Sequence, residues 1–236
     1  MLRFFAVIIK NLLHLYMVPR MEYMAAHKER YSLEQRYRYA LLAIKRMKRA
    51  GRIYTKGYGT ENLPKEGGYV MFPNHQGKYD ALGIIWTHKS PCSVVIDEAK
   101  SHTFLVRQFI DLIEGKRLKK DDIRQSVKVI MECAKETAQG KKFIIFPEGG
   151  YDHNGNDVQT FKPGAFKSAI KAKVPIVPVA LVDSYKPFEL WGLGSVVTQV
   201  HYLEPLYYEE YKDMQSWEIA GIVTERIRNK ICQVTA

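Results

Sequence analysis

The chain has 236 residues, 46% hydrophobic and 26% charged, enough for one domain with a sizeable core and too apolar for a disordered chain. Its three cysteines, Cys92, Cys133 and Cys232, are odd in number and lack metal-ligand spacing. That excludes a disulfide framework and suits a reducing compartment. The net charge is +11, and residues 1–50 carry eleven Lys and Arg against three Glu, so most of the basicity is N-terminal. Such a segment fits an anionic membrane surface, a nucleic acid or a solvated helical face.

Phe4 to Val18 is mostly apolar, interrupted by Lys10, Asn11 and His14 and closed by Pro19. A span needs about 20 apolar residues, and no small-residue cleavage site follows. The expectation is a helix lying in the membrane interface or dipping into one leaflet. A terminal helix packed on the domain is the competing reading. Next, Ser32 and Gln35 form a capping-box signature. Leu33, Tyr37, Ala40, Leu41, Ile44 and Met47 then recur at helical spacing. Arg36, Arg38, Lys45, Arg46, Lys48 and Arg49 fall mostly on other faces. A basic amphipathic helix of this kind is expected to insert its apolar stripe into lipid while its cations meet phosphates. No ribonucleoprotein motif, zinc finger or heptad basic region accompanies these charges, so no nucleic-acid partner is expected. Residues 1–50 thus read as a helical membrane-associating segment. They would place the chain, peripheral or monotopic, on the cytoplasmic face of the cell membrane.

From Gly51 onward the pattern alternates. Ile53–Tyr58, Tyr69–Phe72, Ser93–Ile96, Phe143–Phe146, Ile176–Val182 and Thr198–Leu203 read as strands. Ala81–Thr87, Asp121–Gln139, Phe166–Ala172 and Trp217–Lys230 read as helices. In the second of these, Ile123, Val127, Ile130 and Ala134 recur at helical spacing. Alternation of this kind predicts an α/β domain over residues 51–236, with a mixed, largely parallel sheet flanked by helices.

Three stretches carry candidate chemistry. In Pro73-Asn74-His75-Gln76-Gly77-Lys78-Tyr79-Asp80 a histidine follows a strand, and a carboxylate comes five residues later at a helix start. That is a base and its orienter without a nucleophilic side chain; a turn histidine and a helix-starting aspartate are the plain alternative. Phe146-Pro147-Glu148-Gly149-Gly150 sets a carboxylate and two glycines after another strand, where glycine lets backbone approach a ligand and bind an anion. Val174-Pro175-Ile176-Val177-Pro178-Val179 opens a third strand with two prolines. Asp152-x-Asn154-x-Asn156-Asp157 resembles a calcium loop, but Asp157 and Pro163 stand where glycine and glutamate are needed.

Taken together, Asn-His-x4-Asp, Phe-Pro-Glu-Gly and Val-Pro-x-x-Pro-Val resemble the glycerolipid acyltransferase family, best known from the 1-acylglycerol-3-phosphate acyltransferases. The resemblance covers roughly residues 57–205. It implies an α/β acyltransferase fold and a membrane-facing site that moves an acyl group from acyl-CoA or acyl carrier protein to a lysophospholipid hydroxyl. No other cofactor and no metal are implied. His75 is implied as base, Asp80 as its partner, and Glu148 and Gly149 as acceptor-site residues; Asn74 and Gly150, which complete those two motifs, are expected to bind substrate with them. The family's third motif usually continues Glu-Gly-Thr-Arg-Ser, whereas here Tyr151 holds the arginine position. The cation for an acceptor phosphate is therefore expected from Lys116 to Lys120, with Arg117 favoured for its planar fork and Lys120 as the alternative. Lys78 and Lys162 are further cations near the expected site. A lipid-binding module without catalysis is the reading from another class.

Overall fold

The structure is a computed structural model that describes residues 2–235. Helix α1 (Leu2–Lys10), a 3-10 turn (Leu12–His14), α2 (Met17–Ala26) and α3 (Leu33–Gly51) precede the sheet. The rest of the chain runs β1 (Ile53–Tyr58), β2 (Tyr69–Pro73), α4 (Asp80–His88), β3 (Ser93–Asp97), α5 (Glu98–Ser101), α6 (Val106–Leu112), β4 (Lys116–Leu118), α7 (Ile123–Ala138) and β5 (Lys142–Ile144). It ends with α8 (Lys167–Ala172), β6 (Ile176–Val182), α9 (Lys186–Glu189), β7 (Val196–Tyr202), α10 (Tyr208–Tyr211) and α11 (Ser216–Thr235). The strands form one sheet in the order β1-β7-β6-β2-β5-β3-β4. From β6 to β4 every neighbouring pair is parallel. β7 runs antiparallel to β6, pairing Ala180 with His201, and β1 runs parallel to β7.

β2 and β6 are buried along their whole length, as central strands covered on both faces must be. Their side chains alternate between two layers. Val70 and Phe72 join the core under α7, α8 and α11. Tyr69 and Met71 join the opposite core with α2, α3 and α4. Because β6, β2, β5, β3 and β4 are parallel, their carboxyl ends form one rim, where open α/β sheets hold ligands.

The structure corrects several expectations. The α3 stripe does not face lipid: Tyr37, Ala40 and Ile44 are buried in the main core. Ile44 alone stabilises the fold by about 1.5–3 kcal/mol through burial, which lipid insertion would forfeit. Two α3 cations are also used by the fold. Arg36 donates to the Leu112 carbonyl and to Glu114 Oε1, at 3.0 and 2.7 Å. Lys48 lies 4.3 Å over the Trp86 ring, and burial lowers its pKa to about 8. The capping box does form, Ser32 Oγ accepting from Gln35 N and Gln35 Oε1 accepting from Ser32 N.

Pro19 does not end a helix. It lies in the first turn of α2, where its missing N–H breaks no bond. In α7 the buried face is Val129, Ile130, Cys133 and Ala134, while Ile123 and Val127 are exposed. Phe143–Phe146 leaves the sheet after Ile144. β4, α5 and α6 have no counterpart in the sequence reading, being short and lacking a full period.

Candidate active site

β2 ends at Pro73, which is still in register with Val179 of β6, and Asn74 then fixes the turn to β6. Its side-chain carbonyl accepts from Leu181 N at 2.7 Å, and its amide donates to the Leu181 carbonyl at 3.2 Å. Asn74 is fully buried, so it holds the turn and is not placed to touch a substrate. Gln76 does the same further on, accepting from Ser184 N and donating to the Leu181 carbonyl and to Asn156. Between these two straps His75 is carried out on the rim. Gly77 sits in a tight place, since a Cβ there would come within 3.2 Å of Glu189 Oε1 and 3.4 Å of the Tyr185 backbone.

Asp80 is the first residue of α4 and is wholly buried. Its Oδ2 accepts from His75 Nδ1 at 2.7 Å, Gln76 N at 2.6 Å and Gly77 N at 2.9 Å. The helix N-terminus and these amides hold the charge. The bond network assigns the proton to Nδ1, leaving Nε2 with its lone pair. The imidazole is stacked on Phe146 at 4.2 Å and meets the edge of Tyr151 at 4.7 Å, with 19% of its side chain exposed. One ring nitrogen is thus oriented by a carboxylate while two aromatic rings fix the plane.

The turn after β5 comes up beside it. Glu148 is buried, and its Oε1 accepts from the His75 backbone N at 3.1 Å. Its other oxygen has no partner among the described residues. Burial, aided by the Asp80 charge and opposed by hydrogen bonds from the His75 and Gln159 backbones, raises the carboxyl pKa to about 7. Gly149 has φ +75°, a conformation that other residues adopt at a cost.

The cations fall differently from the sequence order. Lys162 Nζ and Lys120 Nζ lie 2.8 and 3.3 Å from where a Cβ would sit on Gly149 and Gly150. Lys120 also pairs with Asp97 at 3.3 Å. The Lys100 ammonium is 4.9 Å over the Tyr151 ring, a lysine that the motifs do not mark. Lys78 is exposed, with its ammonium 6.0 Å from the Phe4 ring. Arg117 is not brought to this cluster by any contact: its guanidinium donates to Asp111 Oδ1 at 2.6 Å and Ser101 Oγ at 3.0 Å. It lines an open groove of about 1290 Å³ shared with Pro91, Gly115 and Lys141. Those residues precede β3, β4 and β5, at the end of the sheet opposite His75.

The acyltransferase family profile matches residues 55–182, more than half of the chain. The chain belongs to the acyltransferase family. The matched span takes in His75, Asp80, Glu148 and Lys162, so the family's defining region is the one that builds this rim. A 1-acyl-sn-glycerol-3-phosphate acyltransferase of Borreliella burgdorferi is 27% identical over 182 residues, covering 73% of this chain and 70% of that one. The human 1-acyl-sn-glycerol-3-phosphate acyltransferase alpha is 31% identical over 134 residues, 55% of this chain; the chain spans less than half of that relative's length, 46%. The crystal structure of the 1-acyl-sn-glycerophosphate (LPA) acyltransferase PlsC from Thermotoga maritima has the same fold. Its TM-score is 0.75 at 22% identity, covering 95% of this chain and 92% of that chain.

Besides Lys100, Gln76 and Asn156 are members of this acyltransferase's site that sequence reasoning missed. Asn156 accepts from Asp183 N at 2.9 Å and donates to Asp183 Oδ1 at 3.1 Å, tying the 152–157 loop to the end of β6. The density of Asn and Asp that mimics a calcium loop was the available signal, since such residues bond to nearby backbone.

Proposed function

We propose that the chain transfers a fatty acyl group from an acyl thioester to the free hydroxyl of a lysophospholipid, and that the acceptor is 1-acylglycerol-3-phosphate, giving phosphatidate. The observation that carries this reading is the His75–Asp80 pair, at 2.7 Å on the carboxyl rim of the sheet. The names of the relatives support the choice of acceptor.

His75 Nε2 takes the acceptor hydroxyl proton as that oxygen attacks the thioester carbonyl. Asp80 keeps the ring oriented and stabilises the imidazolium. The backbone N–H of Gly150 is the donor for the carbonyl oxygen as it gains charge, since that of Gly149 already donates to the Phe146 carbonyl at 3.2 Å. When the carbon–sulfur bond breaks, the imidazolium returns the proton to the leaving thiolate. Lys120 and Lys162, with Lys100 behind Tyr151, take the place of an arginine fork for the acceptor phosphate.

The membrane contact belongs to α1 and the turn after it, where Phe4, Phe5, Ile9, Leu12 and Leu13 are exposed, Leu13 to 89%. Among the described residues no single helix is long and apolar enough to cross a membrane. Leu2–Lys10 and Leu12–Ala26, bent by 54°, reach that length and composition only together. That geometry suits an interfacial or re-entrant element.

The test is transfer from acyl-CoA and from acyl carrier protein to a panel of lysophospholipids and monoacylglycerol, using wild type and His75→Ala. Phosphatidate formed by wild type and lost in the folded variant supports the reading. No transfer to any acceptor would make the chain a lipid-binding module, and a preference for monoacylglycerol would remove the phosphate site.

A further inference from the structure

Between α9 and β7 the chain exposes Leu190, Trp191 and Leu193, and Trp191 is 79% exposed. A large aromatic left in water by a short loop needs a reason, and the loop's base is heavily built. Arg3 of α1 is only 3% exposed. Its guanidinium donates to the carbonyls of Lys186 and Pro187, each at 3.1 Å, and of Gly194 at 2.9 Å. Those carbonyls flank the loop on both sides, so one buried side chain clamps its two ends to α1. Phe188 packs between Phe4 and Tyr79, with ring centroids 5.8 and 6.0 Å away, and Tyr79 precedes Asp80. The loop follows α9, which itself follows the carboxyl end of β6 on the rim that holds His75. Glu189, at its start, packs against Gly77 and pairs with His153 Nδ1 at 3.0 Å.

We propose that Leu190, Trp191 and Leu193 form a second lipid-contact site, a finger that enters the headgroup layer of an anionic bilayer beside α1 and is held at a fixed depth by Arg3. The proposal rests on the membrane reading of α1 given above. Continuity argues for lipid: Arg3 joins the finger to the helix that exposes Phe5 and Ile9. Chemistry argues for it too, since an indole suits the boundary where one edge is apolar and its N–H is wet. Lys10 and Lys78, both exposed on or beside α1, supply the charge for anionic headgroups. Two clamped contacts define a plane, and that plane sets the His75 rim against the bilayer, where the acceptor hydroxyl reaches it without leaving lipid.

The experiment uses the full chain and vesicles of phosphatidylcholine with phosphatidylglycerol. The sequence has three tryptophans, so Trp86→Phe with Trp217→Phe leaves Trp191 as the sole emitter; if that variant does not fold, the difference between wild type and Trp191→Phe isolates the same signal. The expected result is a blue shift on vesicle addition and quenching by lipids brominated near the headgroup. Trp191→Ala should weaken vesicle binding about ten-fold, the scale of one large apolar side chain, at an unchanged unfolding midpoint. Arg3→Gln should reduce the Trp191 quenching while Trp191 is still present. If the protein sediments with vesicles but Trp191 neither shifts nor quenches, the finger is wrong and the α1 reading stands. Failure to bind vesicles at all removes both. A dimer that shields Trp191 without lipid makes the surface a protein interface and overturns the proposal.

Discussion

His75 has its Nδ1 on Asp80, so the two residues separate by mutation. Removing the imidazole in His75→Ala should lower kcat on the order of 100-fold or more, the usual range for a general base; near-normal turnover by a folded variant would refute the assignment. The phosphate cations separate in another way. Lys120→Ala should raise KM for a phosphate-bearing acceptor by about ten-fold, because a ground-state contact is lost, with little change for monoacylglycerol. Arg117→Ala should leave that KM alone and lower stability, since it breaks the Asp111 and Ser101 contacts. Glu148 gives a pH signature. Its folded-state pKa is raised to about 7, above the unfolded value of about 4.3. The folded state therefore holds a proton that the unfolded state has released, and this contribution to stability is full at low pH and lost as pH rises from about 4 to 7. His88 and His201 work in the opposite sense, because burial lowers both to about 4. The difference between wild type and Glu148→Gln isolates the carboxyl: the wild type should lose up to about 1.4 kcal/mol per pH unit relative to the variant in urea titrations across that window. Parallel curves would place Glu148 at an ordinary pKa.

At the scale of elements, α3 buries in the core the stripe expected to enter lipid, and α7 leaves two residues of its apolar spacing exposed. The α3 stripe is core, and Tyr37 in addition donates its hydroxyl to the Ile85 carbonyl at 3.2 Å. Tyr37→Ala should cost about 3–5 kcal/mol, as aromatic truncations in a core do. In α7, Ile123 and Val127 are in water, so replacing both with Lys should shift stability by no more than about 0.5 kcal/mol each. Urea unfolding of the two variants checks both statements. Periodicity was real in each helix. It names an apolar face, and two overlapping faces of α7 share Ile130 and Ala134, so spacing did not say which of them meets the sheet.

For the whole molecule, this changes where the N-terminal segment ends. Met17, Met21 and Met24 of α2 share a core with Tyr37 and Ile44 of α3 and with the sheet, so a boundary at residue 50 cuts through packed structure. Removing residues 1–15 should leave a folded domain that no longer sediments with anionic vesicles. Removing residues 1–50 should expose the underside of the sheet and yield aggregated protein. Size-exclusion chromatography with vesicle sedimentation separates the outcomes, and a soluble, monomeric product of the longer deletion would restore the boundary at residue 50.

Local pattern by itself determined the longer strands and helices from residue 53 onward, though not β4, α5 or α6, because a short apolar run rich in β-branched residues such as Ile176–Val182 favours a buried strand. It also determined that His75 and Asp80 sit at a strand end and a helix start, since a proline followed by asparagine after an apolar run marks a turn. The three motifs carried the resemblance to the family. Only the tertiary structure decided what depends on contacts far apart in sequence. Asn74 and Gln76 reach Leu181 and Ser184, more than a hundred residues away. The parallel order that lines up five strand ends brings Glu148 to His75 and Lys120 and Lys162 to the two glycines after Glu148, whereas β4 turns Arg117 toward Asp111. Charge and spacing assigned the α3 stripe to lipid. The sheet takes it, because the apolar stripe that would enter a bilayer is the one that completes the core.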